Sequence, residues 1–232
     1  MTVHALIVDL FGTLVAKWPN ELSVARKRRM AQAAGVEERV FRDAWGKRWL
    51  DRELGIVSLE RCITEVLGTV GVSPSPEMVR RLCEVWTGPV TDHLKTWRSE
   101  AVSALQRLRA AGLQVGLVSN AGPEVPSIFR SGPWSELIDA AVFSCNVGAA
   151  KPDRRIYTSV CEALSVSAKN CVYVGDGGDQ ELQGALEVGM TPVWLRVEAE
   201  IAKEGVPEGA AAWAGLVIST FDELDEHVWA CN

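Results

Sequence analysis

The residues of this chain best suited to chemistry are an aspartate and the turn that follows it. Asp9 comes directly after the apolar run 5–8, and Gly12 and Thr13 follow shortly afterwards. A carboxylate at the end of a buried strand is a candidate nucleophile, and the turn's amides with the Thr13 hydroxyl are donors for an anionic substrate. Phe11 lies two residues after the aspartate, where a second carboxylate would be the natural proton donor.

Polar side chains also follow three later apolar runs. Ser119 and Asn120 follow the second run, Lys151 follows the third and Asp176 follows the fourth. Ligands of open parallel sheets bind where the strands end, so we expect these side chains to lie near Asp9. The set suits attack on a phosphoryl group. Asp9 attacks, Asp176 is a second carboxylate ligand for Mg²⁺, and Lys151 neutralises charge. The Ser119 hydroxyl, with Asn120 beside it, binds the substrate.

The elements that must position these residues alternate between strand and helix. Strands separated by single helices pair in parallel through right-handed crossovers. We therefore predict an α/β fold, a doubly wound parallel sheet covered on both faces. After a first strand that ends at Asp9, the predicted strands cover 114–118, 140–144, 171–174, 191–195 and 216–218, and the predicted helices cover 100–110, 154–164 and 181–188.

Between the first strand and this alternation lies a segment with helical periodicity and no convincing strand. Gly35 and Gly55 follow two of its four predicted helices, as is typical of helix ends. We predict a helical domain at 17–92, inserted between core segments 1–16 and 93–232. The four predicted helices cover 21–34, 36–54, 58–67 and 76–86.

The composition favours a small-molecule partner. The formal charge of -6 and the pI near 5.2 argue against nucleic acid and anionic membranes as partners. No run reaches the roughly 18 apolar residues of a membrane span, and the N-terminus does not resemble a signal peptide, so we predict a cytoplasmic protein. The six cysteines include no C-x-x-C pair, which predicts reduced thiols. Both a monomer and a homodimer are compatible with the sequence.

Over its whole length the chain resembles the haloacid dehalogenase (HAD) superfamily of hydrolases. The resemblance implies a Rossmann-like core, a helical cap that closes over the site, and an Asp9 nucleophile. It also implies that Ser119 binds phosphate, that Lys151 neutralises charge, and that Asp9, the Phe11 carbonyl and acids of the fourth motif hold Mg²⁺. The motifs that carry the resemblance are Asp9-Leu10-Phe11-Gly12-Thr13, Ser119-Asn120, Lys151-Pro152-Asp153 and the segment 175–181.

The fourth motif contains two candidates for its second acid. In this superfamily that acid occurs at a variable spacing. We choose Glu181, with Asp179 in reserve, and the expected role is to hold a metal-bound water.

Phe11 and Asp176 favour different reactions. Phosphatases of the superfamily carry an Asp at position 11 as the proton donor, whereas 2-haloacid dehalogenases carry an aromatic residue, usually Tyr. Those dehalogenases have Ser and Asn in the fourth motif, where this chain has Asp176 and Gly178. Without a cation, Asp176 beside Asp9 would raise a carboxyl pKa and weaken the nucleophile.

We therefore predict a Mg²⁺-dependent small-molecule phosphatase, acting on phosphoric monoesters or acyl phosphates through an aspartyl-phosphate on Asp9. A 2-haloacid dehalogenase with an aspartyl-ester intermediate is one alternative. A HAD-like binding protein with weak or no catalysis is the other.

Three residues of the helical segment and its end are further candidates. Arg42 could reach a substrate carboxylate, as a cap arginine does in the dehalogenases, with a solvated helix-face arginine as the alternative. His93 and Asp92 lie where the segment returns to the core. Either of them could replace the missing acid.

Overall fold

The computed structural model describes residues 2–224, whose six strands form one all-parallel sheet in the order β3-β2-β1-β4-β5-β6. This confirms the predicted α/β class and the doubly wound sheet. The second and fourth strands run one residue further than predicted, and therefore include Ser119 and Gly175. The strands are β1 Ala5–Val8, β2 Gln114–Ser119, β3 Ala140–Phe143, β4 Cys171–Gly175, β5 Thr191–Leu195 and β6 Leu216–Ile218.

The first strand lies at the point where the chain reverses its direction of travel across the sheet. From β1 the chain proceeds outwards to β2 and β3, and then returns to the other side of β1 to form β4. The strands are held in register, with Ile7 opposite both Gly116 and Tyr173. Such a switch point leaves a crevice at the carboxyl ends of the strands, where α/β proteins bind ligands. Asp9 stands at this crevice.

Helices cover both faces of the sheet because β1 is apolar on both sides. Leu6 and Val8 lie in one apolar cluster with α6, whereas Ala5 and Ile7 lie in a second cluster with α9 and α10. The helices are α1 Asn20–Ala34, α2 Glu38–Gly46, α3 Trp49–Glu53, α4 Leu59–Thr69, α5 Pro76–His93, α6 Ser99–Ala110, α7 Val125–Arg130, α8 Ser144–Val147, α9 Arg154–Leu164, α10 Glu181–Glu187 and α11 Glu198–Glu204.

The five helices α1–α5 lie between the first two strands in sequence and form the helical insertion. Its apolar side chains, including Phe41, Trp45, Ile63 and Trp86, make a third cluster separate from the two that cover the sheet. The insertion therefore has a core of its own.

Two of the predicted helices have different bounds. The helix predicted at 36–54 is two helices, because the backbone at Arg48 leaves the helical region at φ −102° and ψ 9°. The helix predicted to end at Trp86 continues through Pro89 to His93. Val90 lies beyond that proline and is buried in the cluster beside α6. Burial of that side chain stabilises the part of the helix beyond the proline, whose missing N–H removes one helical hydrogen bond.

Within residues 2–224, no helix combines the length and the apolar character needed to cross a bilayer. The five cysteines in this part of the chain are free thiols, and Cys231 lies outside the described residues.

Candidate active site

Asp9 is buried at the end of β1, with 3% of its surface exposed. Its Oδ1 accepts a hydrogen bond of 2.6 Å from Lys151 Nζ, whereas Oδ2 is buried and has no hydrogen-bond partner among the described residues. Burial raises the pKa of Asp9 to about 7, against the opposing effect of the Lys151 ammonium. A buried oxygen without a partner is costly, so Oδ2 is placed to meet a cation or a substrate.

Lys151 lies between two carboxylates. Its Nζ is 2.6 Å from Asp9 Oδ1 and 2.6 Å from Glu181 Oε2. Burial acts to lower the pKa of this lysine, but the two carboxylates outweigh it and hold the pKa well above its ordinary value. The ammonium is therefore a fixed positive charge beside Asp9.

Glu181, at the start of α10, has both carboxylate oxygens engaged by the protein. Oε2 accepts from Lys151 Nζ and, at 2.6 Å, from the Tyr173 hydroxyl, and Oε1 accepts from the Gly177 amide at 2.9 Å. A Cβ at Gly175 would overlap this carboxylate, which explains the glycine at the end of β4. These contacts orient Lys151, whereas the sequence suggested that Glu181 would hold a metal-bound water.

Asp176 follows β4 and faces the turn after Asp9. Its Oδ1 accepts from the Gly178 amide at 2.8 Å, and Oδ2 lies 3.7 Å from Lys17 Nζ. Gly12 has φ +92°, and a Cβ at this position would overlap the Asp176 carboxylate. Only glycine therefore lets the turn and the carboxylate approach so closely.

Three acidic side chains of the site are close enough together to bind a divalent cation. Oxygen atoms of Asp9, Asp176 and Glu181 lie within 4.8 Å of one another. Burial raises the pKa of Asp176, and the neighbouring Asp9 raises it further. Lys151 and Lys17 beside three acids still leave an excess of one negative charge when all are ionised. Mg²⁺ prefers carboxylate oxygens, so these residues and the unpartnered Asp9 Oδ2 fit this ion.

Asn120 connects two of the motif loops. Its Oδ1 accepts from the Lys151 amide at 2.7 Å, and its Nδ2 donates to Asp179 Oδ2 at 2.9 Å. The asparagine was predicted to bind substrate, and Asp179 was the reserve metal acid. In the structure they bind each other and hold the Lys151 loop beside β2.

Two hydroxyls predicted to bind the substrate are buried. Ser119 is the last residue of β2 and is 1% exposed. Thr13 Oγ1 is buried and has no hydrogen-bond partner in the described chain. A third hydroxyl was not predicted: Ser144 Oγ accepts from the Ala121 amide at 2.9 Å. This hydroxyl holds the loop after β2. In the sequence, only its position at the end of the third apolar run indicated that Ser144 would lie near the site.

The two candidates for the missing acid lie in different surroundings. Asp92 is exposed and pairs with Lys95 at 3.0 Å, on the surface. The His93 ring stacks on the Phe11 ring at 6.3 Å between centroids, and its Nε2 donates to the Ala16 carbonyl at 2.8 Å. Burial lowers the pKa of His93. Of the two, only the histidine contacts the first motif.

A cavity of about 260 Å³ lies beside the first two motifs and reaches the helical insertion. Phe11 and Asn120 line it from the core, and Arg26 and Arg52 line it from the insertion. Arg42 does not line it, because its half-exposed side chain lies 3.8 Å from Glu38 on the outer face of α2. The arginines that line this cavity are therefore Arg26 and Arg52, whereas the sequence suggested Arg42.

The chain was compared with known proteins. A family model described as haloacid dehalogenase-like hydrolase matches residues 3–189. A glyceraldehyde 3-phosphate phosphatase of Methanopyrus kandleri is 27% identical over 202 residues, 84% of each chain. An (S)-2-haloacid dehalogenase of Pseudomonas sp. is 22% identical over 182 residues, 74% of this chain and 75% of that protein. The relatives thus include both kinds of enzyme.

The fold is also found in solved structures. A HAD family enzyme of Bacteroides thetaiotaomicron, in complex with magnesium and inorganic phosphate, superimposes with a TM-score of 0.63. The identity is 17%, and the match covers 84% of this chain and 94% of that one. The family match, which spans most of the chain, agrees with the four motifs and the fold. The chain belongs to the haloacid dehalogenase-like hydrolases.

Proposed function

We propose that this hydrolase is a Mg²⁺-dependent phosphatase of small molecules. The observation that carries the proposal is the pair of carboxylates, buried Asp9 and partly buried Asp176, at the switch point of the sheet. A nucleophile that must be ionised near pH 7 needs more positive charge than Lys151 alone supplies, because burial raises the Asp9 pKa to about 7. A divalent cation held by these carboxylates would supply that charge.

Asp9, the Phe11 backbone carbonyl and Asp176 would hold the ion. When bound, Mg²⁺ neutralises charge on the phosphoryl oxygens. The acids and the unpartnered Asp9 Oδ2 support this assignment. The magnesium and phosphate bound by the Bacteroides enzyme are consistent with it.

Each residue of the site has a separate role in the proposed reaction. An Asp9 oxygen forms a bond to phosphorus as the bond to the leaving oxygen breaks, which gives an aspartyl-phosphate. Lys151, the Ser119 hydroxyl and the Thr13 hydroxyl bind the phosphoryl oxygens, and Glu181 keeps Lys151 in place. Water then attacks phosphorus and releases Asp9.

Phe11 shapes the choice of substrate. It cannot protonate the leaving group, and a general acid contributes about 10² to 10⁴ in rate. The loss of rate without a general acid is smallest for acyl phosphates and other substrates with good leaving groups. The same phenylalanine favours the second candidate, a 2-haloacid dehalogenase, because a halide leaves without a proton.

The test measures phosphate release from p-nitrophenyl phosphate and acetyl phosphate, with Mg²⁺ or with EDTA, and halide release from 2-chloropropionate. We expect phosphate release that requires Mg²⁺ and is abolished in Asp9→Asn. Asp43→Asn is the matched control, because Asp43 is an exposed aspartate of α2. Metal-independent halide release would overturn the proposal in favour of the dehalogenase. Mg²⁺ binding without release of either product would favour the binding protein.

A further inference from the structure

Arg98, the residue before α6, is a partly buried arginine that the proposed reaction does not use. Its side chain is 15% exposed. The chain around it lies against the turn after Asp9, because Trp97 pairs antiparallel with Val15. The Arg98 amide also donates to the Leu14 carbonyl at 2.8 Å. The backbone therefore holds Arg98 beside the first motif.

The guanidinium of Arg98 donates to two backbone carbonyls of this turn. Nε donates to the Thr13 carbonyl at 3.0 Å, and Nη2 donates to the Gly12 carbonyl at 3.4 Å. Nη2 also forms an ion pair with Glu200 of α11. A guanidinium is a planar fork whose donors point in fixed directions. Glu200 on one side and the turn on the other therefore set its orientation.

Holding these two carbonyls also fixes the amides of the same peptide bonds. In a planar trans peptide the carbonyl and the N–H point in opposite directions. The Gly12 carbonyl shares its peptide bond with the Thr13 amide, and the Thr13 carbonyl shares its peptide bond with the Leu14 amide. Neither amide donates a hydrogen bond to any residue in the described part of the chain. Two free donors are thus held facing away from Arg98, where they can bind an anion.

We propose that Arg98, held by Glu200, is a positioning residue that orients the Thr13 and Leu14 amides to bind the phosphoryl group of the substrate. The identity of the bound group as phosphate rests on the proposed function. Arg98 and Glu200 together carry no net charge. The pair therefore contributes by orienting the backbone of the turn, and only weakly by attracting an anion.

Replacing Glu200 separates orientation from charge. Glu200→Ala leaves Arg98 without its counter-ion, so a purely electrostatic role predicts tighter binding of an anion. A positioning role predicts weaker binding, because the guanidinium loses one of the groups that set its direction. The measurement is the dissociation constant of orthovanadate, with Mg²⁺, by calorimetry. We expect binding about threefold weaker in Glu200→Ala. In Arg98→Met, which keeps the apolar stem but loses the donors, we expect it to be at least about tenfold weaker.

Matched variants control for charge and for position in the chain. Glu198 lies exposed on the same helix as Glu200, and Lys95 lies exposed in the same connection as Arg98. Glu198→Ala and Lys95→Met should bind orthovanadate within about twofold of the wild type. Combining Arg98→Met with Glu200→Ala should weaken binding no more than Arg98→Met alone, because Glu200 acts only through Arg98. Tighter binding in Glu200→Ala, or additive losses in the double variant, would overturn the inference.

Arg98→Lys keeps the charge but loses the planar fork. It should not restore wild-type affinity, and it replaces Arg98→Met if thermal melting shows that variant to be unfolded. Wild-type affinity in Arg98→Lys would contradict a positioning role. Unchanged affinity in all these variants, in a protein that hydrolyses p-nitrophenyl phosphate, would overturn this inference alone. Weaker vanadate binding in the variants, in a protein that releases no phosphate, would refute only the phosphatase. Absence of vanadate binding to the wild type would overturn both.

Discussion

Replacing Lys151 by methionine tests the buried charges at the centre of the site. The change leaves two carboxylates, Asp9 and Glu181, buried without the ammonium that lies 2.6 Å from each. Removing one partner of a buried ion pair costs about 3 to 5 kcal/mol. A protein of this size melts roughly 2 to 4 °C lower for each 1 kcal/mol lost, so the expected decrease is about 6 to 20 °C.

The assay is the free energy of unfolding in urea at pH 7 with EDTA, together with the calorimetric melting temperature. The folded protein raises the pKa of Lys151, so its stabilisation is fully present below the ordinary lysine pKa of 10.5 and is lost only at higher pH. The measurement at pH 7 therefore retains the full charge of the lysine, while Asp9, with a pKa of about 7, is partly protonated. Lys169→Met, at an exposed lysine, is the control and should change stability by no more than about 0.5 kcal/mol.

A second change separates charge from packing. In the variant that combines Lys151→Met with Glu181→Gln, one of the two unpaired charges is gone, and at least about 1 kcal/mol of the loss should return. A Lys151→Met loss below about 1 kcal/mol, or no recovery in the double variant, would refute the assignment of a charged triad.

Two other predictions concern a glycine and the thiols. Gly12→Ala should cost about 1 to 3 kcal/mol in unfolding free energy and lower Mg²⁺ affinity, because the new Cβ meets Asp176. Gly71→Ala is the matched control, since φ there is +79° with open space around it, and an equal effect on Mg²⁺ affinity would contradict the steric argument. Burial raises the pKa of Cys83 and Cys145 to about 11, so the thiolate fraction at pH 8 is about 100-fold lower than for a thiol of pKa 9, and alkylation by iodoacetamide should be at least about tenfold slower. An alkylation rate that levels off near pH 9 would show that burial does not raise the pKa of these thiols.

The order of elements and the identity of the charged groups could be predicted from local sequence. The run 5–8 is apolar on both sides, which requires a strand covered on both faces, and the strand ends then carry Asp9, Ser119 and Asp176 to one edge. Connections between parallel strands allow few other arrangements. The helix ends were less predictable, because α5 continues past Pro89 to Val90, whose burial depends on tertiary contacts.

The partners of each charged group required the tertiary structure. Glu181 and Asp179 are two residues apart and both carry a carboxyl group, yet one is buried under Lys151 and the other binds Asn120 at the surface. Periodicity likewise could not distinguish Arg42 from Arg52, since both lie in charged helical segments. Only packing of α3 against its neighbours buries Arg52 beside Trp45 and leaves Arg42 near solvent.

The sequence by itself therefore determined the family, the candidate nucleophile Asp9 and the absence of a carboxyl group at position 11. The last two depend only on which residue types stand at fixed positions in the first strand and in the turn that follows it. The tertiary structure decided which acid contacts Lys151 and which arginines line the cavity beside the first two motifs. Those outcomes depend on contacts between segments far apart in the chain. Such contacts fix both the burial and the charged neighbours of each side chain, and a local sequence pattern does not predict them.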